Sequence, residues 1–195
     1  MYPYNFKRGQ TIQTDTPGVS VDRAFLAHVH IPAASVVAAS NIGVHAAIPL
    51  TAAIQAITTA ITNPAVPRNI SIKGNAAGII GDVVITGTNY AGGAIAETIA
   101  LNGATAVVGV KAFRTVTKID LPVEVHVGTD TVSVGWGDIF GLPYLLPYDT
   151  TVKTLFNKAA DVMTIVPDDN EIEKNTFDMT GTPDGLKDID LYIIC

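Results

Sequence analysis

The sequence predicts an all-β protein: an antiparallel β-sandwich, Ig-like or jelly-roll-like, preceded by an extended N-terminal arm. Three observations lead there. Apolar side chains recur at every second position, as in Ile70 and Ile72 between Ser71 and Lys73, or Val132, Val134 and Trp136, which is the pattern of a strand with one buried face. The runs are short, and turn-forming pairs such as Gly74-Asn75, Asn102-Gly103 and Gly128-Thr129-Asp130 separate them. The chain has 195 residues, 48% of them apolar, and only 15% charged, enough to bury a core without disulfides or a metal. Residues 1–22 read as the arm and 23–195 as the sandwich domain.

The arm holds Pro3, Gly9, Pro17 and Gly18, and its Tyr2, Tyr4 and Phe6 alternate. On an extended strand these three rings share one side, which marks them as docking residues. AFLAHVHIP fits a strand with Phe25, Ala27, Val29 and Ile31 on one face and His28 and His30 on the other. SVVAASNIGVHAAIPL carries a turn-like SNIG in its middle. In TAAIQAITTAIT the spacing of Ile54, Ile57 and Ile61 is helical, but its Thr and Ile content favours a strand. NPAVPRN then breaks any helix with two prolines.

From Asn69 the alternation is clear. Strands are expected at NISIK, at VVITG ended by Gly87, and at AIAETIAL, with TNYAGG as the loop that presents Tyr90. KAFRTVTKIDL follows. VEVHV reads as a strand with Val123, Val125 and Val127 on one face, turning at Gly128 into TVSVGW. Pro143 and Pro147 exclude a regular element from GLPYLLPY, where Tyr144 and Tyr148 stand at Leu-Pro-Tyr corners. ADVMTIVP and DIDLYIIC are strands, the latter with Leu191 and Ile193 on one face; the polar stretch between them reads as loop.

Composition excludes several functions. A net charge of −6 leaves no excess of cations to displace counterions from nucleic acid. The lone cysteine, Cys195, cannot form an internal disulfide, and no Cys/His set has zinc spacing. The N-terminus is not patterned as a signal peptide. Residues 24–67 carry no Asp, Glu, Lys or Arg, but prolines, histidines and many alanines make them buried strands and turns rather than a membrane span.

Chemistry-bearing motifs are sparse. His28 and His30 would lie side by side on a strand, but a third metal ligand at a readable spacing is missing. Asp168, Asp169, Asn170, Glu171 and Glu173 form an oxygen-rich stretch without the EF-hand pattern, and read as a solvated acidic loop. No nucleophile elbow, Walker loop, zinc-protease helix or dinucleotide fingerprint occurs. Asn69-Ile70-Ser71 matches a glycosylation sequon, a pattern that arises often by chance. Trp136 between Gly135 and Gly137 suits a sandwich core. No catalytic residue, cofactor or metal is expected.

The stretch NPAVPRNISIKGNAAGIIGDVVITGTNYAGGAIAETIALNGATAVVGVKAFRTVTKIDLP resembles a group of tailed-bacteriophage virion proteins. They share a P-R-N-hydrophobic strand, a GDVVITGTN-like strand and turn, an E-T-I-A-L-N-G segment and a K-A-F-x-T-V-T-x-I strand. GLPYLLPYDTTV and NTFDMTGTPDGLKDIDLYIIC are similar to the group's closing portion, so the resemblance spans about Asn63 to Cys195. It implies a non-enzymatic β-sandwich component of the phage particle, made in the host cytoplasm and placed on the virion surface. The expected role is a head decoration or cement protein that stabilises the capsid. Its implied partners are the major capsid protein and copies of itself, as a homo-oligomer such as a trimer, with no nucleic acid or membrane. The alternatives are a tail, neck or baseplate ring component and a host-surface carbohydrate-binding module. The expected contact residues are Tyr2, Tyr4, Phe6, Tyr90, Tyr144 and Tyr148.

Overall fold

In a computed structural model of the chain, residues 11–13, 15–22 and 24–195 are described. Tyr2, Tyr4 and Phe6 lie outside them. In chain order the strands are β1 (Thr11–Gln13), β2 (Ser20–Asp22), β3 (Leu26–Ile31), β4 (Ser40–Pro49), β5 (Gln55–Ile57), β6 (Arg68–Gly74), β7 (Asp82–Thr88) and β8 (Ala94–Ala100). They continue with β9 (Val107–Phe113), β10 (Thr115–Leu121), β11 (Thr131–Gly141), β12 (Thr151–Phe156), β13 (Ala159–Ala160), β14 (Met163–Val166), β15 (Thr176–Met179) and β16 (Ile189–Ile194). Among the described residues the only helical turns are two short 3-10 segments, Ala33–Ser35 and Ile172–Lys174. None is a helix long and apolar enough to cross a membrane.

All pairings are antiparallel, as the alternation predicts. β1 and β2 form a separate hairpin. The other sheets run β5-β10-β7-β8, β14-β15-β11-β6-β9 with β4 also on β11, and β13-β12-β16-β3. β11 organises the molecule. Its first half pairs with β4 and β6 and contributes Val132 and Val134 to one core, with Ile72, Ile85, Phe113 and Ile119. Its far end pairs with β15 and puts Phe140 into a second core, with Leu146, Phe177, Leu191 and Ile193. Each such buried side chain contributes about 1.5–3 kcal/mol. Stacking of Phe140 on Phe177, centroids 5.4 Å apart, adds about 0.5–1.5 kcal/mol.

Arg68 sits where the two cores meet, paired in register with Phe113 on β9 and Phe140 on β11. It is 1% exposed. Its guanidinium donates to the Val37 carbonyl at 2.6 Å, reaches Asp138 at 3.3 Å and lies 4.4 Å from the Phe140 ring centroid. Burial pulls its pKa down to about 10, with Asp138 acting in the opposite sense.

Several expectations are corrected. VEVHV is a loop, because side chains take its backbone donors: Asp130 accepts the N–H groups of Val125 and His126, and Glu124 accepts that of Gly128. Val123, Val125 and Val127 are consequently exposed. SNIG is no turn but lies within β4. Gly43 is there because the Trp136 ring rests on it; a Cβ would lie 2.7 Å from the ring. KAFRTVTKIDL breaks at Arg114, whose N–H bonds the Thr88 carbonyl, and its halves join different sheets. In TAAIQAITTAIT only Gln55–Ile57 is strand. The polar stretch before the last strand hides β15, and TVKTLF forms β12.

Candidate functional site

β3 and β16 lie side by side and build the most chemically capable surface among the described residues. On β3, Val29 and Ile31 point into the core while Leu26, His28 and His30 face out. On β16, Ile189, Leu191 and Ile193 are buried, leaving Asp190, Tyr192 and Ile194 outside. The antiparallel register sets His30 opposite Asp190, His28 opposite Tyr192 and Leu26 opposite Ile194. Such directly opposed side chains interact.

One oxygen of Asp190 serves both histidines. His28 Nε2 lies 2.6 Å from Asp190 Oδ1 and His30 Nδ1 lies 2.9 Å from the same atom. The His28 ring stacks on Tyr192 with centroids 4.4 Å apart and planes 2° from parallel. The Asp190 side chain is only 14% exposed, whereas both histidines are nearly half exposed. Burial alone would push the Asp190 carboxyl up; the hydrogen bonds from His28 and His30 outweigh it and hold the carboxyl below its ordinary value. The three side chains place one potential ligand atom each within 4.8 Å of one another.

The missing third partner of the histidine pair is thus supplied from 160 residues away. The alternation of DIDLYIIC places Asp190 on the face opposite Leu191, but nothing local states that β3 and β16 are neighbours.

Of the expected contact residues, Tyr90, Tyr144 and Tyr148 are among the described ones. Tyr90 is half-buried at the β7–β8 turn, where its carbonyl accepts from Arg114. Tyr144 is half-buried against the second core, and Tyr148 is 66% exposed. Trp136 packs against the first core and donates Nε1–H to the Ala38 carbonyl. The sequon residue Asn69 is 1% exposed and donates to the Gly109 carbonyl while accepting the Ile139 N–H. It cannot accept a glycan in the folded protein.

The acidic stretch is not a solvated loop. Lys111 on β9 pairs with Glu171 at 3.1 Å and with the buried Glu173 at 3.4 Å. Asn175 is fully buried; it donates to the carbonyls of Asp168 and Glu171 and accepts the N–H groups of Leu146 and Asp168. Hydrogen bonds and ion pairs therefore fix this segment against the sandwich.

A second surface feature is a groove of about 350 Å³ beside the last residues of β10, where Ile54, Val84, Pro122 and Val123 lie between Asp82 and Asp120. Apolar side chains dominate it, and Lys118 neutralises Asp120 at 2.8 Å. Comparison of the chain with protein families, with characterised proteins and with solved structures finds no match.

Proposed function

We propose that the protein is a structural subunit of a tailed-bacteriophage particle that works by protein–protein contact. Its expected place is the head surface, as a decoration or cement protein bound to the major capsid protein and to copies of itself. The observation that carries this reading is the exposed apolar end of the β3–β16 face. Leu26 and Ile194 oppose one another in register, and are 62% and 42% exposed. Neighbouring large apolar side chains on a sheet face mark a surface that another protein covers. Covering what remains exposed of them would contribute about 1–2 kcal/mol for Leu26 and roughly 1 kcal/mol for Ile194.

The resemblance to virion proteins and the low charge of the chain support the same reading. So does the outer side of β8, where Ala94, Ala96, Thr98 and Ala100 are exposed and offer low relief to a broad contact. The test is rebinding to particles that lack the protein. The native chain is expected to rebind, and Leu26→Lys/Ile194→Lys, folded by circular dichroism, is expected to fail. Equal rebinding by the double variant overturns the assignment of this surface. Labelled protein on the tail in electron micrographs replaces the head with the tail, neck or baseplate. Specific signal on a glycan array, without rebinding, replaces the reading with a carbohydrate-binding module.

A further inference from the structure

We propose that His28, His30 and Asp190 form a divalent transition-metal site of the zinc class on the outer face of the β3–β16 pair. Two imidazoles and one carboxylate are a ligand set that suits Zn²⁺ and its neighbours, whereas Ca²⁺ and Mg²⁺ prefer all-oxygen sites. Three protein ligands on an exposed face leave a fourth position open to solvent.

The geometry is close to what the ion requires. Both histidine nitrogens already converge on Asp190 Oδ1, at 2.6 and 2.9 Å. Metal–ligand bonds of about 2.0–2.2 Å in a tetrahedron separate the ligand atoms by roughly 3.3 Å. Side-chain rotations that open each contact by about half an ångström therefore admit the ion, which replaces two shared hydrogen bonds with three coordinate bonds.

The ligands are also held in advance. They stand on two strands paired from Leu26–Ile194 to Ile31–Ile189, not on a loop. Tyr192 fixes the plane of His28 by stacking on it. Leu155 of β12 is paired with Asp190 on the side away from His30, so the carboxylate is flanked by strands on both sides. Ligands locked on rigid elements lose little freedom on binding. The other histidine–aspartate pair, His126 with Asp130, lacks a second imidazole, and its carboxylate is taken up by two backbone N–H groups.

Binding of the ion does not depend on the particle role proposed above. The untagged full chain, freed of metal by a chelator that is then dialysed away, is titrated with Zn²⁺ by calorimetry. One equivalent per chain is expected to bind. His28→Asn, His30→Ala and Asp190→Ala are each expected to lose at least roughly tenfold in affinity, and His126→Gln to behave as the native chain. Ring NMR signals provide a readout independent of the variants: those of His28 and His30 shift with Zn²⁺, and those of His45 and His126 do not. Absence of stoichiometric binding, binding that survives His28→Asn/His30→Ala, or shifts confined to His45 or His126 overturns the proposal.

Discussion

Glu97 on β8 and Val110 on β9 stand at the edges of two different sheets, and the Glu97 carboxylate accepts the Val110 backbone N–H at 2.7 Å. The same carboxylate lies 3.3 Å from the Lys111 N–H. Gly109 makes room for it, since a Cβ there would lie 2.2 Å from Glu97 Oε2. One side chain thus occupies backbone donors that an edge strand would otherwise offer to another chain.

Replacing Glu97 separates its charge from its role as acceptor. Burial pushes the Glu97 carboxyl up, against the N–H groups of Val110 and Lys111 and the charge of Lys111, which pull it down; the balance is upward. A raised folded-state carboxyl stabilises most below its unfolded value, and that contribution is lost as pH rises through the raised value. Glu97→Gln keeps an acceptor without the charge. It is expected to be at least as stable as the native chain at neutral pH and to lose this slope. Glu97→Ala leaves the Val110 and Lys111 donors unmet and costs about 1–3 kcal/mol. Urea unfolding of the three proteins at pH 4 and pH 7 reads both effects.

Asp130 gives the opposite pH dependence. Burial would raise its carboxyl, but the N–H groups of His126 and Val125 and the His126 ring outweigh burial and hold it below its ordinary value. Stability from this group is present above the unfolded Asp value and is lost as pH falls through the depressed folded value. The native chain should therefore show an acid limb below about pH 4 that Asp130→Ala flattens, with the variant already less stable at neutral pH. Circular dichroism across an acid titration is the measurement. Parallel curves offset by a constant would remove Asp130 as the source of the limb.

These two carboxylates also show what was legible in the sequence. Short runs closed by turn residues or proline mark β7, β8 and β14; period-two alternation marks β3, β11 and β16, and also β6, where Ser71 alternates with Ile70 and Ile72 although both faces are buried. Alternation misplaced VEVHV, where three alternating valines satisfy the pattern, but Asp130 and Glu124 capture the backbone into a loop. It missed β15 in TFDM, where the buried Thr176 sits beside Phe177 and Met179 and blurs the contrast between faces. The histidine pair was visible, and its partner Asp190 was not. Contact between strands separated by most of the chain depends on topology, which local periodicity does not encode. The same limit hid the pairing of Leu26 with Ile194.

Arg68 tests how the two cores are joined. A buried guanidinium loses hydration that its partners only partly restore, and its Nε has no hydrogen-bond partner. Arg68→Met keeps most of the volume over Phe140 and is expected to be neutral or stabilising. Arg68→Ala leaves a void at the junction and is expected to cost about 2–5 kcal/mol, the range of a large core truncation. Asp138→Ala, which removes the one carboxylate paired with Arg68, should fall between them. Thermal unfolding of the set gives the order. If Arg68→Met is as damaging as Arg68→Ala, specific hydrogen bonding rather than packing holds the junction.

At Gly135 the backbone of β4 lies directly against β11. A Cβ at this position would lie 1.6 Å from the Ser40 carbonyl oxygen, so even one methyl group must push the strands apart. The pairing is already irregular here, shifting register between Val134 and Trp136. The next residue, Trp136, relies on the same approach, because its ring rests on Gly43 of β4 and its Nε1–H reaches the Ala38 carbonyl at 3.2 Å. Gly135→Ala is therefore expected to cost about 1–3 kcal/mol from overpacking and to release the indole toward water. Trp136 is the sole tryptophan, so its fluorescence reports the site without ambiguity. A red-shifted emission maximum with reduced stability is the expected result. Native emission and native stability in Gly135→Ala would mean that β4 does not lie against β11 at this point, and that another contact places Trp136.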